Sequence, residues 1–296
     1  MCSPKRSGST MDEIRVATRG SRLALAQAGL VADRIRSISP ATQVTLVPID
    51  TAGDRDQTGP IARLTELGAF VRAVQNAVLD DRADIAVHSL KDLPVEGPSE
   101  LVLAGFPERA SAEDAVVGSS LDELGPGSVV GTGSPRRVTQ LRRLHPLLET
   151  AELRGNVDTR LRKVSQGEVE AAILAAAGLE RLGKADRITQ LLAIDDMVPA
   201  PGQGALAVEA RPGSRGAEIA AALDDSQLRP LLVTERQLLA ESGAGCRSAL
   251  GALAVWEAGN IRLTGFVSDE RGPRTTVVVG GSPTEVVTRA RRELGI

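Results

Sequence analysis

The chain has 296 residues, 42% hydrophobic and 25% charged, with a formal net charge of −3. At roughly 150 residues per domain this is about two domains with room for a small third, and wholesale disorder, collagen and coiled coil are excluded. No apolar run approaches the ~18 residues of a spanning helix, so no membrane association is expected.

Residues 1–10 carry positive charge without the apolar stretch of a signal peptide and read as a solvated tail. A strand is predicted over 13–18, then a helix over 22–38 with a stripe of Leu23, Leu30, Val31, Ile35 and Ile38. A strand over 44–49 leads into a polar, glycine-containing stretch over 51–60. A helix over 68–79 and strands over 84–88 and 101–105 complete an alternating set of the open-sheet α/β kind.

A second set follows, with strands over 115–118 and 129–131, a helix over 136–144, a strand over 148–153, a helix over 157–166 and a strand over 171–174 running into a helix. A strand over 204–209 is too short to found a domain and is expected to return to the first sheet. Then come a helix over 227–241, a glycine-rich loop, strands over 249–256, 261–267 and 275–279, and a helix from 283. The expected fold is two α/β lobes plus a small α+β C-terminal domain: residues 11–107 with 199–222, residues 108–198, and residues 223–296. Such lobes put a cleft at the carboxyl ends of their strands, where ligands bind.

Only Cys2 and Cys246 are present, which excludes a disulfide framework and points to a reducing cytoplasm. The chain has no Tyr, one Trp and three Phe, so stacking surfaces for nucleic acid are not expected. Between positions 134 and 163 stand eight basic residues against three acidic ones, a local charge of +5 in a chain of −3. A basic island in an acidic protein suits a small anionic ligand better than a duplex. Arg142, Arg143, Arg162 and Lys163 are expected on solvated helix faces.

Three segments end a predicted strand with small residues and then present charge: Ala17-Thr-Arg-Gly-Ser21, Gly131-Thr-Gly-Ser-Pro-Arg-Arg137 and Leu153-Arg-Gly-Asn-Val157. Each offers backbone N–H groups and a guanidinium to carboxylates or phosphates. Lys91 and Asp92 follow the strand over 84–88, where a carboxylate beside an ammonium either stabilises a developing cation or forms a structural ion pair. His88 reads as a core histidine, and no ligand spacing supports a metal. Cys246, flanked by Gly245 and Arg247, is either an inert small hydrophobe or an activated thiolate able to anchor a cofactor.

These segments, with Asp84-Ile-Ala-Val-His-Ser-Leu-Lys-Asp-Leu-Pro94, Pro201-Gly-Gln-Gly-Ala205 and Gly245-Cys246, resemble in order and spacing the porphobilinogen deaminase (hydroxymethylbilane synthase) family, from about residue 13 to the end. The resemblance implies two lobes like those of type II periplasmic binding proteins and a third domain that carries a dipyrromethane cofactor through a thioether to Cys246. It implies Asp92 as the catalytic carboxylate. It places Lys91, Ser89, Ser134, Arg136, Arg137, Arg154 and Asp54 against the cofactor, and Arg19, Ser21, Arg154, Arg160, Arg63, Phe70 and Gln203 against the substrate. It further implies a cytoplasmic, monomeric transferase that joins four porphobilinogens and passes its linear product to uroporphyrinogen III synthase, with no metal, nucleic acid or membrane partner.

The family's glycine-rich, often lysine-containing stretch reads here Leu64-Thr-Glu-Leu-Gly-Ala-Phe70. Residues 59–70 are expected to form a lid. Two alternatives stand beside the main one: a catalytically weakened family member, and a bilobal binding protein for a small polycarboxylate. The second leaves Cys246 and the third domain without a role.

Overall fold

Apolar alternation along β1 (Glu13–Arg19) turns Ile14 and Val16 to one face of a sheet and Ala17 to the other. β1 pairs in parallel with β2 (Gln43–Ile49) and β3 (Ile85–Ser89), while β10 (Leu206–Ala210) runs antiparallel between β3 and β4 (Val102–Gly105). The order β2-β1-β3-β10-β4 confirms the return of the late strand to the first sheet. The computed structural model describes residues 13–49, 63–243 and 249–296, so the tail, the polar stretch over 51–60 and the loop holding Cys246 lie outside the described residues.

Helix α1 (Arg22–Ile38) starts where the Ser21 hydroxyl accepts the N–H of Ala24. Its buried face is Gln27, Ala28, Val31, Ala32 and Ile35, which corrects the expected stripe: Leu30 and Ile38 are exposed. The two alanines replace bulk with close approach to the strands. Helix α2 (Arg63–Leu79) covers the other face and begins five residues before the predicted start at 68. Residues 63–67 contain no helix breaker, and one glycine inside a helix costs only about 1 kcal/mol. The lid expected over 59–70 is therefore helical from Arg63, with 59–62 outside the described residues.

The second sheet has the order β7-β6-β8-β5-β9, from β5 (Asp114–Gly118), β6 (Val129–Gly131), β7 (Glu149–Ala151), β8 (Ala171–Ala175) and β9 (Gln190–Leu191). Helices α3 (Pro135–Leu144), α4 (Val157–Ser165) and α5 (Ala176–Arg181) flank it. The strand expected over 148–153 is shorter, because Leu148 and Leu153 are buried beside the ladder and not in it. Sequence reasoning missed β9, only two residues long, and α6 (Arg215–Ala222), which packs on the first sheet. That packing is close: a Cβ on Gly105 would stand 2.1 Å from the Ala220 carbonyl oxygen.

The chain crosses between the lobes twice, and the crossings lie side by side. Leu206 N–H donates to Glu108 O and Ala110 N–H to Gly204 O, each at 3.1 Å. Beyond them, β11 (Ala249–Glu257), β12 (Asn260–Asp269) and β13 (Gly272–Gly280) form an antiparallel meander. Its apolar face packs on α7 (Arg229–Glu241) and α8 (Pro283–Leu294). α7 begins two residues later than expected, since Pro230 is tolerated only in a first turn. Among the described residues no helix is long and apolar enough to cross a membrane.

Candidate active site

Strand ends carry the site. The carboxyl end of β1 delivers Arg19 and Ser21, and a one-turn 3₁₀ segment after β3, Leu90–Asp92, delivers Lys91 and Asp92. Its Leu90 N–H donates to Ala205 O at 3.0 Å, which ties this turn to the second crossing. Arg19, Ser21, Gln27, Phe70, His88, Ser89 and Asp92 line one pocket. The Arg19 guanidinium lies 4.2 Å from the centre of the Phe70 ring, a cation–π distance. Ser89 and the Gln27 amide hydrogen-bond at 2.9 Å. His88 Nε2 stands 3.0 Å from the buried Glu209 carboxylate, which accepts from the Gln75 amide. His88 is thus the core histidine expected.

The second lobe supplies a cationic floor. Ser134 occupies the N-cap position of α3 without its hydroxyl capping the helix, and Arg136 and Arg137 follow on a buried face. Both meet Asp114, which is fully buried at the start of β5. Arg136 Nη1 donates to Asp114 Oδ2 at 2.7 Å, and Arg137 donates from Nε and Nη2 to Oδ1 at 3.0 and 2.7 Å. Burial opposes ionisation of Asp114, but the two guanidiniums outweigh it and hold the carboxyl well below the usual range. Lys91 is half-buried, and charged groups of both lobes act on its ammonium. Burial lowers its pKa to about 8, with Asp92 and Asp114 opposing that shift and Arg137 and Arg136 adding to it.

Arg154 follows β7 and donates to Glu152 at 3.1 Å, while Arg160 on α4 donates from Nε to Gly155 O at 2.8 Å. Arg142, Arg143 and Arg162 are exposed and Lys163 is partly so, as expected of solvated helix faces. Gln203, expected against the substrate, is placed differently. It is fully buried, and its amide donates to Ala112 O at 2.7 Å and Asp114 Oδ1 at 2.9 Å, because the second crossing packs behind the floor. Cys246 and Asp54, and the side chain of Arg63, lie outside the described residues.

Sequence reasoning missed Asp114. The available signal was an aspartate opening an otherwise apolar strand, in a chain with two adjacent arginines that needed a counter-ion. The described residues hold no cluster of His, Cys, Asp or Glu able to bind a metal ion.

Comparison with known proteins adds to this geometry. Residues 14–218 match the family model described as porphobilinogen deaminase, dipyromethane cofactor binding domain. The porphobilinogen deaminase of Mycobacterium avium is 49% identical over 245 residues, 81% of this chain and 76% of that protein. That of Roseiflexus castenholzii is 41% identical over 278 residues, 93% of this chain and 92% of that protein. Among solved structures, a TRAP periplasmic solute binding protein from Desulfovibrio salexigens aligns with a TM-score of 0.43 at 12% identity, over 72% of each chain. A family model covering more than half of the chain and relatives of this identity over most of it agree with the site built above: the chain belongs to the porphobilinogen deaminase family.

Proposed function

We propose that the chain joins four porphobilinogen molecules head to tail, releasing ammonia at each step, and frees the linear hydroxymethylbilane by hydrolysis. The observation that carries this is the placement of Asp92 in a pocket with Arg19, Ser21 and Phe70, beside a floor of Lys91, Arg136 and Arg137. Loss of ammonia leaves the substrate's pyrrole electron-poor, and positive charge passes through its ring nitrogen. Asp92 stabilises that charge more in the transition state than in the ground state. Each porphobilinogen brings an acetate and a propionate, which Arg19, Ser21, Arg154, Arg160 and Arg63 bind, with Phe70 beside the ring. Gln203, withdrawn behind the floor, holds Asp114 and does not meet the substrate.

The donor set fits a dipyrromethane. Its carboxylates suit a floor where two guanidiniums share one carboxylate and the Lys91 ammonium stands nearby, and its pyrrole N–H groups suit Asp92. Lys91, Ser89, Ser134, Arg136, Arg137, Arg154 and Asp54 would hold it, and Cys246 would bind it through a thioether. When bound, it supplies the pyrrole carbon to which the first substrate ring is joined. The working units are residues 11–107 with 199–222, residues 108–198, and a cofactor-carrying unit of residues 223–296. The protein acts as a cytoplasmic monomer and hands its product to uroporphyrinogen III synthase.

Incubating the purified protein with porphobilinogen tests this reading. One ammonia released per porphobilinogen consumed, with a linear tetrapyrrole product, is expected. Persistence of the substrate overturns it.

A further inference from the structure

The two neighbouring arginines of the floor are bonded unequally. Arg137 engages all three of its nitrogens within the second lobe: Nε and Nη2 on Asp114, and Nη1 on Ile173 O at 2.9 Å. The bonds of Arg136 leave from one nitrogen, Nη1, to Asp114 Oδ2 and Val198 O, each at 2.7 Å. Asp114 Oδ1 takes three donors, the third being the Gln203 amide from the second crossing. One carboxylate therefore orients two guanidiniums and also clamps the segment that joins the lobes.

We propose that Asp114 is the positioning residue of the anion-binding floor: held by Arg137 and Gln203, it aims Arg136 at the ligand's carboxylates. This rests on the reading of the site given above and deepens it. A guanidinium fixed at one nitrogen has its remaining N–H groups preset for a carboxylate, so less freedom is lost on binding. The charge balance requires Asp114 as well. The groups facing Lys91 are Asp92 on its own turn, Arg136 and Arg137 on α3, and Asp114 on β5. Without Asp114 the ammonium faces two guanidiniums against Asp92 alone and gives up its proton more readily.

The test uses Asp114→Asn, which keeps shape and removes charge, and Asp114→Glu, which keeps charge and displaces it. Two readouts are taken on the full chain: the fraction carrying the cofactor, from intact mass, and the midpoint of Lys91 titration, from pH-dependent acylation followed by peptide mass. Asp114→Asn is expected to lower the Lys91 midpoint by about half a pH unit or more, about threefold in the charged fraction on the alkaline side. Its loaded fraction is expected to fall at least about threefold, a change of the size that losing one oriented hydrogen bond brings. Asp114→Glu should keep the wild-type midpoint but lose loading.

An Asp114→Asn protein with wild-type midpoint and loading overturns the proposal. If that variant does not fold, Asp114→Glu decides: reduced loading at an unchanged midpoint supports the proposal, and wild-type loading overturns it. Should the wild type itself carry no added mass, the cofactor reading fails, and the Lys91 midpoints still decide whether Asp114 holds that charge.

Discussion

Arg109 and Glu235 form a buried two-pronged pair, Nη1 to Oε1 at 2.6 Å and Nη2 to Oε2 at 3.3 Å, that joins the first interlobe crossing to helix α7 of the C-terminal unit. The same carboxylate accepts Gly202 N–H from the second crossing at 2.7 Å and Ala254 N–H from β11 at 2.9 Å. One buried side chain thus ties both crossings to the helix that leads towards Cys246. Removing one partner leaves the other charge buried and uncompensated, which typically costs about 3–5 kcal/mol. Glu235→Ala should lose stability on that scale in denaturant unfolding, and a loss below about 1 kcal/mol would contradict the role.

Asp92→Asn preserves size and some hydrogen bonding while removing charge. Turnover of porphobilinogen should fall at least about 100-fold, the scale of losing one preorganised electrostatic group. Fold and cofactor content should change little. Near-native turnover in a folded variant would refute the assignment.

Cys246→Ser should lose a mass increment of one dipyrromethane, whereas Cys2→Ser should keep it. The chemical basis is a thiolate beside Arg247, flanked by glycine. An unmodified wild-type protein with full activity would rule out the thioether.

Arg154 follows β7 and is half-buried, while Arg142 is exposed on α3 and donates to Thr150 at 3.1 Å. A hydrogen bond to a charged group is worth about 1.5–3 kcal/mol. Arg154→Leu should therefore raise KM at least about tenfold, and Arg142→Leu should leave it within about twofold. Equal, small effects would count against the anion-binding role of Arg154.

Lys91 makes stability depend on pH in a definite direction. Its pKa of about 8 in the fold lies below its ordinary 10.5, so between those values the unfolded chain binds more protons than the native one. The Lys91 contribution thus rises with pH through this window, and the cost of burying the charge is full below it. Unfolding measured from pH 7 to 10 should show this rise in the wild type and a flatter dependence in Lys91→Met. Identical profiles would place the ammonium in water.

Periodicity and punctuation were enough to locate most elements. The apolar period over 22–38 located α1, the helix expected over 136–144 falls on α3, and the strand expected over 204–209, too short to found a domain, is β10. Local signals of this kind depend on a few neighbouring residues, so they are legible along the chain. The same holds for Asp92, which a strand and a single turn place at the cleft. The face that α1 buries, the partnering of Arg136 and Arg137 with Asp114, and the withdrawal of Gln203 behind the floor were settled only by tertiary structure. Asp114 lies 22 and 23 positions from those arginines and 89 from Gln203. A buried charge is satisfied by whichever donors the packed fold brings within about 3 Å, and that choice belongs to the folded lobes, not to any one segment.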